Sequence, residues 1–448
     1  MAKDKTRVYA VLVGVLLLAL TAANFLRAYN FEYVDWDGFQ YLAYSRSIID
    51  GSYAHVNYIR SPLSALMIFP DWFFGRLEMA LLHLLSAFLI FRISYKITRS
   101  YLPSLFSAFL YWSNWWTQLF TAATLSDIPA MTLFLLFLYF WLDNGKKSDL
   151  YAGIFGGLAF LARFDSVLLL APFFAVSLLE KRDLKRLFVP AIVIAIPFEM
   201  ATDYLVFNRF VYTPVEFFNL NFSAGFANSL AANLQQGDVL YAIKKSLQFY
   251  PLLVIFSLFS LFRAGENKKM GPVVAAVAFL AVSFLMLPVT ENRIFAVKFV
   301  PLLAIMSSCF VLHVYKNVHK GYAFIVTSFV MLIVFSYNAV HVLSVSYPPW
   351  SLSDVQCVGE GIICTNAPPV VAYQCDSSSV DVYQYGPRHA SVDSGLNKTQ
   401  IVIENVGRCD YLVYFKDYFD YDEQTYRALK ASFELISENH VSALFKTG

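Results

Sequence analysis

Asp35, Asp37, Arg46, Arg60, Asp127, Arg163, Asp165, Glu291 and Arg293 are the side chains best suited to form a reactive site. They fall in four short stretches: FEYVDWDGFQYLAYSRSIIDGSYAHVNYIRSPL, TLSDIPA, ARFDS and TENRIF. A carboxylate can take the proton from an attacking hydroxyl. An arginine meets phosphate with a planar, permanently charged fork. Together these groups could build one acidic-and-basic site, provided the fold brings them to one place.

Each of these residues also has a plainer role open to it. Asp37 with Gln40 matches a capping box for an amphipathic helix over Gly38 to Asp50. Asp127 precedes Ile128-Pro129 at the start of an apolar run, a good N-cap context. Arg60 could anchor at a membrane interface, and Arg163 could pair with Asp165. Capping explains neither Asp35 nor the arginines. Glu78, His83, Glu199 and Asp203 lie in or near apolar runs and form a second tier. His83 could simply bond a neighbouring helix.

The elements that must position them are membrane helices. Of the 448 residues, 58% are hydrophobic and only 15% charged, against about a quarter charged in ordinary soluble chains. A net charge of +2 gives no reason to expect nucleic acid as a partner. About twenty apolar residues cross a bilayer. Candidate spans run over 8–28, 73–95, 101–121, 127–143, 150–163, 166–180, 187–206, 247–263, 271–289, 296–315 and 322–346, about eleven in all. The first reads as a retained signal anchor. RISYKITR, DNGKKSD, EKRDLKR, FRAGENKK and YKNVHK are basic, and TLSD, ARFD and TENR are poor in positive charge. Basic connections stay in the cytoplasm. The N-terminus is therefore expected inside, with loops 29–72 and 207–246 and the C-terminus outside, in the cell membrane. All nine candidate residues then share the outer side.

Residues 1–350 are expected to form the transmembrane domain and 351–448 a small extracytoplasmic α/β domain. PVVAYQC and CDYLVYF read as strands, EQTYRALKASF as a helix, with a final strand after it. Cys357, Cys364, Cys375 and Cys409 fall in this domain, and an oxidising compartment favours at least one disulfide, by any of three pairings. Cys309 sits in a span and reads as packing. Sequons at Asn221 and Asn397 lie on the expected outer side.

The run Asp37-Gly38-Phe39-Gln40-Tyr41, continuing to Ser45-Arg46 and Asp50-Gly51, resembles the first outer loop of the GT-C membrane glycosyltransferases. The closest branch holds the protein O-mannosyltransferases and lipid A aminoarabinose transferases. Arg60-Ser61-Pro62-Leu63 is similar to the family's Lys/Arg-Pro-Pro-Leu element, and Leu125-Ser126-Asp127-Ile128-Pro129 to its second acidic site. Gly156-Gly157-Leu158-Ala159-Phe160-Leu161-Ala162-Arg163 resembles its Gly-Leu-Ala segment, and Glu291-Asn292-Arg293 sits where the family has an Arg- or Tyr-bearing loop. Gly38 stands where many members have a second acidic residue, and Ser61 where they have Pro.

The resemblance implies a helical GT-C fold that transfers a hexosyl, mannosyl or related sugar from a polyprenyl- or dolichyl-phosphate donor in the bilayer. The acceptor would be a protein, lipid or glycan. It implies Asp37, Asp127 and Asp35 as catalytic carboxylates and Arg60, Arg163 and Arg293 as ligands of the donor phosphate. Asp37 and Asp127 would be the ligands if Mg²⁺ or Mn²⁺ is used. A polytopic transporter or lipid flippase is the competing class; it predicts repeats and broken helices at mid-membrane, and no repeat is visible.

Overall fold

The computed structural model describes residues 2–29, 36–51, 61–207, 214–215, 251–261, 269–286, 292–318, 320–345, 351–359, 361–375, 377, 379–382, 398–416 and 421–447. Every expected span has a helix over it. These are α1 (Ala2–Tyr29), α4 (Trp72–Thr98), α5 (Tyr101–Ser113), α6 (Trp115–Ala122), α7 (Asp127–Trp141), α8 (Lys146–Ala162), α9 (Val167–Leu179), α10 (Leu184–Phe207), α11 (Pro251–Leu261), α12 (Gly271–Met286), α13 (Asn292–Asn317) and α14 (Lys320–Ser344). Between α1 and α4 lie α2 (Trp36–Ile49) and α3 (Pro62–Met67).

The chain is an integral membrane protein. Among the described residues, four helices are long and apolar enough to cross a bilayer: those containing Val11–Ala28, Trp72–Thr98, Lys298–Asn317 and Gly321–Ser344. Leu12, Leu81, Phe88, Val193, Ile325 and Phe329 are all more than half exposed. Displayed over several helices, such apolar side chains would be unfavourable in water and suit lipid.

The expected span 101–121 is two helices rather than one. The chain breaks at Asn114, whose side-chain oxygen accepts from the Thr117 amide at 3.2 Å, as an N-cap does. Asn338 in α14 accepts from the Trp115 amide at 3.0 Å and so binds another donor left over at the break. Helices α6 and α7 then meet at 120°, with TLSD at their corner.

Two compact units emerge. The first comprises residues 1–25, 58–67 and 76–345. Within it, α8 and α10 approach each other closely. A Cβ on Gly157 would stand 2.7 Å from the Ala191 carbonyl oxygen, and one on Gly153 would collide with that of Leu187. Only glycine permits this approach, the small-xxx-small logic of membrane helices.

The second unit comprises residues 26–57, 68–75 and 346–448. Its sheet is formed by β1 (Ile363–Thr365), β2 (Ser379–Asp381), β3 (Tyr411–Phe415), β4 (Glu434–Glu438) and β5 (Ser442–Lys446), in the order β2-β1-β3-β5-β4. The β2-β1-β3 pairs are parallel, and β3-β5-β4 are antiparallel. Helices α15 (Pro368–Cys375), α16 (Lys398–Val406) and α17 (Glu423–Ser432) complete it. The core packs Val402, Val406, Leu412, Tyr414, Leu429 and Phe445. Beside it, hydrogen bonds from Lys416, Lys430 and Tyr426 hold the Glu438 carboxyl down at about 2.

Strand β3, α17 and the last strand lie where the sequence places them. PVVAYQC is a helix instead. Pro368 and Pro369 open α15, where proline's fixed φ suits the first helical turn and its missing N–H is no loss. Both disulfides form, Cys357–Cys375 and Cys364–Cys409, and Cys309 is a buried free thiol.

Candidate active site

Among its described residues, the first unit brings four charges together where α7, the α8–α9 junction and α13 meet. Asp127 is the first residue of α7. Arg163 follows the last residue of α8 in extended conformation, and a 3₁₀ turn over Phe164–Ser166 carries Asp165. Lys298 lies in α13. The Arg163 guanidinium donates from Nη1 to Asp127 Oδ2 at 2.8 Å and to Ser126 Oγ at 3.2 Å. Its Nε lies 3.1 Å from both oxygens of Asp165. Lys298 Nζ reaches Asp165 Oδ2 at 2.5 Å. Among the described residues, two carboxylates and two cations thus meet in a buried cluster. Side-chain exposure is 2–3% for Asp165, Asp127 and Lys298 and 13% for Arg163, so Arg163 is the member that solvent or a ligand reaches most readily.

The local chain is braced to hold Arg163 in place. The last carbonyls of a helix lack intrahelical partners. The Ser61 hydroxyl donates to the Leu161 carbonyl, and that of Ser64 to the Ala162 carbonyl, one residue before Arg163. A proline at this position would have no side-chain donor to give. The glycine face of α8 fixes the same helix against α10 from another side.

In the second unit, α2 packs on α15. Arg46 donates from Nη1 to the Tyr373 carbonyl at 2.6 Å, and its guanidinium lies 4.4 Å from the Tyr373 ring centre. Phe39 meets the same ring at 5.7 Å. The Tyr373 hydroxyl accepts from the Trp72 amide at 3.2 Å. Asp37 occupies the first turn of α2, which begins at Trp36, so it lies inside the helix rather than at its N-cap. The expected capping role of Asp37 is thereby corrected.

Of the residues singled out from sequence, Asp127, Arg163 and Asp165 come together. Asp37 and Arg46 share α2 in the other unit. Arg293 lies in the first turn of α13, five residues before Lys298. Asp35, Arg60 and Glu291 lie outside the described residues, as do Asn221 and Asn397. Glu199 and Asp203 are buried on α10. His83 does meet a neighbouring helix: Nε2 is 3.4 Å from the Trp112 carbonyl, and its ring lies 4.8 Å from that of Tyr111. Lys298 was not singled out from sequence, though a lysine within an apolar run is itself a pointer to function.

Among the described residues, no three His, Cys, Asp or Glu side chains come together as metal ligands. Asp127 faces a guanidinium, a poor setting for a second cation.

The model of the Alg9-like mannosyltransferase family matches residues 36–349. The chain belongs to that family. It is a membrane glycosyltransferase of the GT-C superfamily, as its first-loop motif suggests. The matched stretch begins one residue before Asp37 and includes Arg60, Asp127, Arg163 and Arg293; Asp35 falls just before it. No curated protein matches the chain. Two solved structures share the glycosyltransferase's fold. ArnT from Cupriavidus metallidurans bound to undecaprenyl phosphate aligns with a TM-score of 0.63 at 10% identity, over 97% of this chain and 98% of that one. The same enzyme in the apo state aligns with a TM-score of 0.61 at 13% identity, over 97% of each chain.

Proposed function

We propose that this glycosyltransferase moves a mannosyl or related hexosyl unit from a polyprenyl-phosphate donor to a protein, lipid or glycan hydroxyl outside the cytoplasm. Membership of a mannosyltransferase family is the observation that carries this reading. The undecaprenyl phosphate bound to a protein of the same fold supports the donor class. Eleven spans in the cell membrane, with the N-terminus inside, agree with the basic-inside alternation of loops. The two disulfides of the C-terminal region support its placement in an oxidising compartment.

The chemistry needs one carboxylate and several cations. Asp37 takes the acceptor's hydroxyl proton as its oxygen attacks the anomeric carbon. The bond from that carbon to the phosphate oxygen breaks, and the electron pair leaves on polyprenyl phosphate. Arg60, Arg163 and Arg293 stabilise the departing charge. Asp127 contributes through Arg163, whose Nη1 it holds at 2.8 Å. Asp35 adds negative charge two residues before Asp37. Turnover of a panel of polyprenyl-phosphate sugars by purified protein in liposomes, read as polyprenyl phosphate released and lipid-extracted product, tests the reading. Failure with every donor, alongside transbilayer movement of the lipid, would instead favour a flippase.

A further inference from the structure

We propose that Tyr373, which lies beyond the stretch matched by the family model, is a positioning residue for the proposed base: its ring seats helix α2 and so sets where Asp37 stands. The inference rests on the reading of Asp37 as that base. Both helices belong to the second unit, and α2 packs along α15. Phe39 and Arg46 are seven residues apart, almost two helical turns, so they lie on one face of α2. Both meet Tyr373. The Phe39 ring lies 5.7 Å from its ring, and the Arg46 guanidinium lies 4.4 Å from its ring centre while donating to its carbonyl at 2.6 Å. Asp37 stands two residues before Phe39, about 200° around the helix, on the side away from this seat.

Turning α2 by a single residue about its axis, about 100°, would swing Asp37 well off its line, and a grip spread over two turns opposes that rotation. Tyr373 is itself held. It is 2% exposed, and its hydroxyl accepts at 3.2 Å from the amide of Trp72, the first residue of α4, where helix amides lack intrahelical partners. Two residues on, Cys375 ends α15 and is bonded to Cys357. Turnover is followed in proteoliposomes with the polyprenyl-phosphate sugar that the wild type uses, and undecaprenyl phosphate affinity and amide exchange along α2 are measured on the same variants. Tyr373→Ala should lower kcat by about ten- to hundredfold, the size expected when a reacting group is misplaced. Affinity for undecaprenyl phosphate should stay within about threefold, because Arg163 and Arg293 belong to the first unit. Tyr373→Phe keeps the ring, and its kcat should stay within about threefold of wild type.

Non-additivity separates positioning from mere structure. Added to Asp37→Asn, Tyr373→Ala should cost less than about twofold more, because a base already removed cannot be misplaced. A loss that multiplies in that background would overturn the proposal, as would an unchanged kcat in Tyr373→Ala. Should Tyr373→Ala not fold, Arg46→Gln removes the grip from the other side, and the same cycle with Asp37→Asn decides by the same outcomes. Wild-type-like turnover in Asp37→Asn overturns the reading of the base and this inference with it. An inactive Asp37→Asn beside a fully active Tyr373→Ala overturns the inference alone. Exchange along α2 needs no donor: Tyr373→Ala should speed it by about tenfold or more, and unchanged exchange overturns the seat whatever the turnover.

Discussion

Replacing Asp37 with asparagine separates chemistry from architecture at the residue assigned as base. Helix α2 begins at Trp36, so Asp37 stands in its first turn, inside the helix. A carboxylate there stabilises the helix through the dipole by about 0.3–1 kcal/mol. Asparagine forfeits that much and keeps a polar side chain of the same shape. Loss of a general base slows the reaction by roughly a hundred- to ten-thousandfold, or about 3–5 kcal/mol on the barrier at about 1.4 kcal/mol per decade. The chemical effect therefore exceeds the structural one several times over. Asp37→Asn should insert normally, unfold within a few degrees of wild type and release polyprenyl phosphate at 1% of the wild-type rate or less, to order of magnitude. The assay is donor turnover in proteoliposomes, with thermal unfolding of the same preparation as control. Turnover within about threefold of wild type would refute the assignment and move attention to Asp35 or Asp127.

Three further outcomes are expected. Arg163→Gln should weaken donor use, and it should also destabilise the fold by about 3–5 kcal/mol, because it strips buried Asp127 and Asp165 of a shared cation; thermal unfolding reads the second effect, and an unshifted midpoint would contradict the observed pairing. Gly157→Ala should cost about 1–3 kcal/mol, since its methyl would meet the Ala191 carbonyl oxygen at 2.7 Å; wild-type stability would show that α8 and α10 can part without penalty. Cysteines introduced at Ser52 and Ser432 should both react with an impermeant reagent applied from outside, and labelling of only one would break the proposed topology.

Apolar runs located a helix over every expected span, though not the break at Asn114, because the bilayer demands that backbone polar groups bond within a segment. The run holding Asp37, Tyr41 and Arg46 carried a resemblance to GT-C first loops, which the family model bears out, and local signals marked the helix over Glu423–Ser432. What the sequence left open was decided by contacts between residues far apart in the chain. Asp127 and Arg163 are 36 residues apart and Asp165 and Lys298 farther still, and no local pattern states that they neutralise one another. The same holds for Ser64 reaching Ala162, 98 residues away, and for Arg46 reaching Tyr373, 327 away. PVVAYQC shows the limit from the other direction. Its valines and tyrosine favour a strand, yet two prolines open a helix whose partners are α2 and a disulfide that only the folded chain brings near. Local propensity is a weak preference, and tertiary packing overrides it wherever a whole side-chain set gains burial.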